Sequence, residues 1–372
     1  MHLAILANEL HSFNRTIAAG LARMALACGV TADVYPEGLR VLDGPVSLDF
    51  ATARSAVGSG IHLMRNRRML DRLVDQVAGS SVIVVVAHVP ISFARGALRN
   101  IELLRERLPE IPIVNYAHYY LPTMDKWGAA VLRGVNNGLT EEDLHNLRRG
   151  SFHMSRYDWY LVASVTSEIP LPPGPQPYSI VGVDIDDGSL FPEQNGELRG
   201  LIDFAQNRMN YPSFRKTQIA ALERAGIPYR ILKGQFSRSE IREIYRHTGA
   251  FFLAHRESFG LPICELQACG SRIFTPRPEW AGAHWIKEDL TVPGPGYLSP
   301  NFCVYDDDLG KLTEQLAELK SSFDPARNVR VFEEFHPRFL RGDPEALAGF
   351  LNRVEDGTIN SRSHLEYENV GV

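Results

Sequence analysis

Short apolar runs rich in β-branched residues alternate along this 372-residue chain with stretches whose apolar positions recur at helical spacing. Residues 2–6, 32–35, 81–87, 111–116, 158–163 and 178–181 read as strands, with helices over 16–29, 67–78 and 101–108. The run 81–87, SVIVVVA, shows no polar alternation. A strand that is apolar on both sides must be covered on both faces, so the pattern predicts a parallel sheet wrapped by helices. Residues 170–177, PLPPGPQP, carry five prolines in eight positions and can form neither a helix nor an inner strand.

A second series follows. Residues 200–204, 229–232, 250–253 and 272–275 read as strands, and 213–225, 238–248, 262–268 and 309–321 as helices. Two α/β series of similar size predict an α/β protein of two facing Rossmann-like domains. Ligands of such open sheets bind at the carboxyl ends of the strands, so a cleft between the domains is the expected site. The predicted division is 1–177, 178–335, then helices at 336–354 that can cross back to the N-terminal domain, then a loose polar tail at 355–372.

Composition narrows the functions. Hydrophobic residues make up 44% and charged residues 22%, as in ordinary globular proteins, and the net charge of −5 gives no basic field for nucleic acid. Cys28, Cys264, Cys269 and Cys303 show neither a CxxC pair nor zinc-finger spacing, which fits small buried hydrophobes in a reducing compartment. MHLAILANEL has no basic n-region and no small-residue cleavage site. No apolar run approaches membrane length, and a cytoplasmic location is expected. Residues 61–73, IHLMRNRRMLDRL, place apolar and basic side chains at helical spacing, suited to peripheral contact with the inner face of an anionic membrane or to an ordinary surface helix.

The most informative segment is 256–270, RESFGLPICELQACG. It follows an apolar strand. Gly260 lets backbone approach a ligand, and Pro262 suits a first helical turn. Free N–H groups at that helix start form an anion site without a basic side chain. Glu257 lies in the loop and Glu265 about one turn into the helix, and each carboxylate can accept two hydrogen bonds from a vicinal diol. Taken alone, the two acids also fit carboxylates that serve the helix dipole.

A glutamate, seven residues and a second glutamate, with FGLP inside and ACG after, resembles the signature of glycosyltransferase family 4, retaining enzymes of the GT-B fold. The resemblance implies that Glu257 meets the donor sugar and Glu265 the ribose. Backbone amides at Phe259, Gly260 and Leu261 would face sugar and phosphate. It also implies His118, after a strand of the N-terminal half, on the donor sugar, and Arg208 on the diphosphate. Gly182-Val183-Asp184 followed by Phe191-Pro192 is similar to the family's interdomain segment. Two departures stand out. The glycine pair expected after the first strand is replaced by ANELHSFN, where Asn8 can reach a ligand through its side chain. The family's lysine in a K-G turn is replaced by MNYPSFRKT, which displaces the candidate to Lys216 or its neighbour Arg215. Arg256 can pair with phosphate or with Glu257.

What the resemblance implies is metal-independent hexose transfer from a UDP- or GDP-sugar to a saccharide, lipid-linked or small-molecule acceptor. The N-terminal domain would bind the acceptor and the C-terminal domain the donor. No cofactor is expected beyond the nucleotide-sugar co-substrate. The acidic runs 184–187 and 306–308 read as solvated loops. Other readings are a non-catalytic nucleotide-sugar binding protein, or a nucleotide-sugar epimerase or phosphorylase on the same fold.

Overall fold

The computed structural model describes residues 1–7, 12–36, 68–86, 95–120, 157–164, 177–193, 197–204, 212–255, 257, 259–288 and 295–368. The chain divides into two compact units: Met1–Val165 with Leu171–Asp184 and Gly342–Val372, and Ile185–Arg341 with Thr166–Pro170.

In the first unit, β1 (His2–Leu6), β2 (Thr31–Tyr35), β3 (Val82–Val86), β4 (Ile113–Tyr120), β5 (Trp159–Ser164) and β6 (Tyr178–Ile180) form one sheet in the order β2-β1-β3-β4-β5-β6. All of its pairs are parallel. α1 (Ser12–Ala27), α2 (residues 68–77) and α3 (Arg95–Arg107) fall between strands. Every residue of β3, VIVVV, is fully buried, as an unalternating apolar run requires. The register of β4 against β5 shifts between Ala117 and Tyr120.

The second unit holds β7 (Gly200–Ile202), β8 (Tyr229–Ile231), β9 (Ala250–Phe252), β10 (Arg272–Thr275) and β11 (Phe302–Val304) in the parallel order β11-β10-β9-β7-β8. Successive side chains point to opposite faces. Ile202, Phe252 and Phe274 pack with Leu222 and Leu316 on one side. Leu201, Phe251 and Ile273 pack with Ile263 and Leu266 on the other. The helices are α4 (Pro212–Ala225), α5 (Arg238–Arg246), α6 (Leu261–Ala268), α7 (Leu309–Ser322) and α8 (Pro325–Phe335). In each sheet the chain leaves its first strand to one side for the second and to the other side for the third. The crevice outside the carboxyl ends of those two strands is where doubly wound sheets bind ligands.

Three expectations change. The segment 355–372 is not a loose tail over its described part. After α9 (Pro344–Glu355), Ile359, Ser361 and Ser363 are buried and α10 spans Ser363–Glu368. The reason is Asp158, fully buried at the start of β5. Its carboxylate accepts from the Ile113 amide, from Arg105, and from the His364 amide and ring, while Arg105 also donates to the Ser361 carbonyl. The membrane-contact reading of 61–73 loses its apolar face over the described part, because Leu70 and Leu73 lie in the first unit's core beside Val77. Residues 61–67 lie outside the described residues. The run 184–187 is not a solvated loop either. Asp184 is buried and ion-paired with Arg23 at 2.7 Å, and Asp187 joins the network described below. No helix among the described residues is long and apolar enough to cross a membrane.

Candidate functional site

At the carboxyl end of β7 stands Asp203, and just beyond β9 stand His255 and Glu257. β7 and β9 are hydrogen-bonded neighbours, so a residue placed by each strand end meets the other at the carboxyl end of the second sheet, where doubly wound folds bind ligands. The His255 ring lies between the two acids. Its Nε2 is 2.7 Å from Glu257 Oε2, and its Nδ1 is 3.4 Å from Asp203 Oδ2. Asp203 is almost fully buried, and the two others are partly so.

Electrostatics couple the three. Burial raises the Asp203 carboxyl and the nearby Glu257 charge adds to this; His255 and Arg215 only partly offset them, leaving its pKa at about 6. Burial works against a charged His255, but the Glu257 hydrogen bond and the two carboxylates outweigh it and raise its pKa. The ligand atoms of all three lie within 4.8 Å of one another. The ring, however, turns its two nitrogens to different acids, hydrogen-bonded to Glu257 and at ion-pair distance only from Asp203, which is not the arrangement of three donors converging on one ion.

Glu257 is held along its whole length. Its amide donates to the Trp280 carbonyl at 3.1 Å. Its Cγ occupies the space a side chain at residue 260 would need, since a Cβ on Gly260 would lie 2.5 Å from it. Gly260 also has φ of +55°, in the left-handed region open to glycine. It is the N-cap of α6 and supplies no side-chain cap. The turn is fastened from below: the Phe259 ring is buried, and its carbonyl accepts a hydrogen bond from the His284 Nε2. Phe259, His284, His336 and Phe339 then stack or meet edge-on at centroid separations of 5.1 to 5.8 Å.

Glu265 is the fifth residue of α6, because the helix begins at Leu261 rather than Pro262. That places it past the first turn and buries it. Burial raises its pKa despite Arg242. Arg242 of α5 donates from Nε at 3.1 Å and from an Nη at 2.7 Å, both to Oε1. The other Nη of Arg242 reaches Asp187, as does Arg238. Burial works against an ionised Asp187, but the Ser189 and Arg242 hydrogen bonds overcome it and hold its pKa at about 2. Each of the two acids thus already carries hydrogen bonds from the protein. Among the described residues, Glu257 receives its hydrogen bond on Oε2 and Glu265 receives both of its own on Oε1.

The other expected residues divide. Phe259 and Leu261 are buried side chains whose backbone belongs to the turn. Lys216 is exposed on α4. Its neighbour Arg215 turns inward and donates to the Asp203 carbonyl at 2.6 Å. His118 lies in β4 near the register shift, and its side chain is outside what is described. Asn8, Arg208 and Arg256 lie outside the described residues. Sequence reading missed Asp203, His255 and Arg242 as site residues. Asp203 did leave a signal, an acid within the apolar run GLIDF at a strand's carboxyl end.

No family model matches the chain, and no curated protein resembles it in sequence. Solved structures do resemble it. An alpha-glucosyltransferase in complex with UDP and DNA is 12% identical, covers 95% of this chain and 99% of its own, and superposes with a TM-score of 0.54. LpCGTa in complex with UDP is 13% identical over 95% and 99%, with a TM-score of 0.50. A putative UDP-N-acetylglucosamine 2-epimerase from Listeria monocytogenes is 12% identical over 96% of each chain, with a TM-score of 0.50. At these identities the likeness is one of fold. The chain has two parallel Rossmann-like sheets in the GT-B architecture.

Proposed function

We propose that this chain is a glycosyltransferase that takes a hexose from a nucleoside-diphosphate sugar and passes it, with retention and without a metal, to a hydroxyl of a saccharide, lipid-linked or small-molecule acceptor in the cytoplasm. The observation that supports it most is the grouping of Glu257, the Gly260 turn and Glu265 on one helix start beside the β7/β9 crevice. A nucleotide sugar presents a sugar diol, a diphosphate and a ribose diol in that order. Glu257 Oε1 suits the sugar, the α6 start the phosphates, and Glu265 Oε2 the ribose.

Departure of the nucleoside diphosphate leaves charge on its terminal phosphate. The helix start, with Arg208, Arg256 and the inward-turned Arg215 as candidate cations, supplies stabilisation that is present before reaction. The resemblance gives His118 a part in donor contact, and His118→Ala is then expected to lose turnover. UDP is the first nucleotide to test, since two of the structural neighbours are complexes with it.

The test is a thermal-shift screen of the full chain over UDP-, GDP- and ADP-sugars, followed by assay of nucleoside-diphosphate release with candidate acceptors. A ligand at a hundred times its Kd adds about 2.7 kcal/mol of stability. Glu257→Ala is expected to lose transfer with nucleotide binding kept, and Glu265→Ala to weaken nucleotide binding itself. Full activity in Glu257→Ala sinks the site assignment, and failure to bind any nucleotide sugar sinks the whole reading. The anomeric configuration of the product by NMR decides retention. An epimerase, the activity named for one structural neighbour, would alter the sugar of the donor without consuming an acceptor.

A further inference from the structure

We infer that His255 is a positioning residue which, braced against Asp203, holds the Glu257 carboxylate in the one orientation that turns Oε1 toward the donor sugar. The inference rests on the donor-site reading of Glu257. A glutamate side chain has three rotatable bonds, and an exposed one spreads over many rotamers. Glu257 is fixed at two points instead. The stem lies in the space left by Gly260, and the head is bound through Oε2 to His255 at 2.7 Å. A carboxylate gripped by one oxygen and by its stem has its plane and its second oxygen determined. About 29% of the side chain remains exposed, leaving an edge for a ligand.

The ring needs its own brace, and Asp203 provides it. Asp203 Oδ2 lies at ion-pair distance from Nδ1, off the hydrogen-bond line. Asp203 is itself steadied by the Phe204 amide at 2.7 Å, and Arg215 sits on its carbonyl. A carboxylate held in this way needs less reorganisation to reach the productive geometry, and small misplacements of such groups cost rate rather than nucleotide affinity.

The experiment compares the wild-type chain with His255→Ala, His255→Gln, Glu257→Ala and the double variant His255→Ala/Glu257→Ala. The Kd for UDP (or for GDP or ADP, whichever the wild type binds) and the kcat for the matching nucleotide sugar are measured. His255→Ala is expected to lower kcat by about tenfold or more while the nucleotide Kd stays close to wild type. His255→Gln, whose amide can place a donor near the lost Nε2, recovers part of the rate. The double variant is no slower than Glu257→Ala alone, because a residue that acts only through Glu257 adds nothing once Glu257 is gone. Additive losses, wild-type kcat in His255→Ala, or a loss of nucleotide affinity equal to the loss of rate would each overturn the role. If instead the wild type turns over no nucleotide sugar, the donor-site reading fails first, and this role fails with it.

Discussion

Gly260 carries two constraints at one position, and each forbids a side chain. Its φ of +55° is strained for alanine, and the alanine Cβ would collide with Glu257 Cγ and crowd Ile263. Gly260→Ala is therefore expected to lower stability by about 1–3 kcal/mol and to push the Glu257 stem out of place. Denaturant melts report the first effect, and turnover beyond what the lost folded fraction explains reports the second. Arg242 is the other residue whose removal is diagnostic. It is 4% exposed and its guanidinium is shared by Glu265 and Asp187, so Arg242→Ala leaves a buried carboxylate unpaired at a cost of about 3–5 kcal/mol. Arg242→Ala/Glu265→Gln removes the uncompensated charge and is expected to recover part of that stability in the same melts. A recovery of zero would mean that Glu265 carries no uncompensated charge in Arg242→Ala.

The turn and α6 rest on a shelf of two buried histidines, and the shelf titrates. Burial drives the His284 pKa down to about 4. Burial, with His284 as a neighbour, drives His336 to about 3. Both folded values lie below the ordinary histidine value, so the unfolded chain binds more protons between them. Stability from the pair is complete above pH 6.5 and is lost as pH falls through that window toward 4. The loss for His284 alone is on the order of 3 kcal/mol. Asp203, raised to about 6, has the opposite sign: it favours the folded state below its unfolded value and loses that contribution as pH rises through 6, offsetting part of the effect. Urea melts at pH 7, 5.5 and 4.5 are expected to show declining stability, with a shallower decline in His284→Gln. An equal slope in that variant would remove His284 from the cause.

Element identity was largely legible in the sequence. Runs such as VIVVV and RIFT have no other home than a covered sheet. What escaped was short or locally irregular. β11, the FCV of residues 302–304, lies between Asn301 and the acidic run 306–308 that reads as loop. α8 carries Asn328 on its buried side, where the amide donates to the Gly270 carbonyl and so interrupts the apolar stripe. In the site, Glu257 and Glu265 were legible because their spacing lies within one segment. Asp203, His255 and Arg242 were not, because what joins them is the pairing of strands and the packing of helices distant in sequence.

At the scale of the molecule, the last described residues belong with the first. Val181 and Val183 accept from the amides of Asp343 and Gly342, and Asp158 holds His364. Asp158→Ala is expected to destabilise the first unit by a few kcal/mol and to free the segment after Glu355, because it removes the buried carboxylate that the Ile113 amide, Arg105 and His364 share. Hydrogen exchange would read this as lost protection in β4, β5 and α10, with the second sheet unchanged. Uniform loss across both sheets would contradict it. The arrangement also sets an order in time. The second unit is nearly continuous from Ile185 to Arg341, whereas the first waits for Gly342 onward. On a ribosome, the unit whose strands emerge first thus waits for segments made after the whole of the second, and its exposed sheet must stay free of wrong partners until Gly342 and the helices after it have been made.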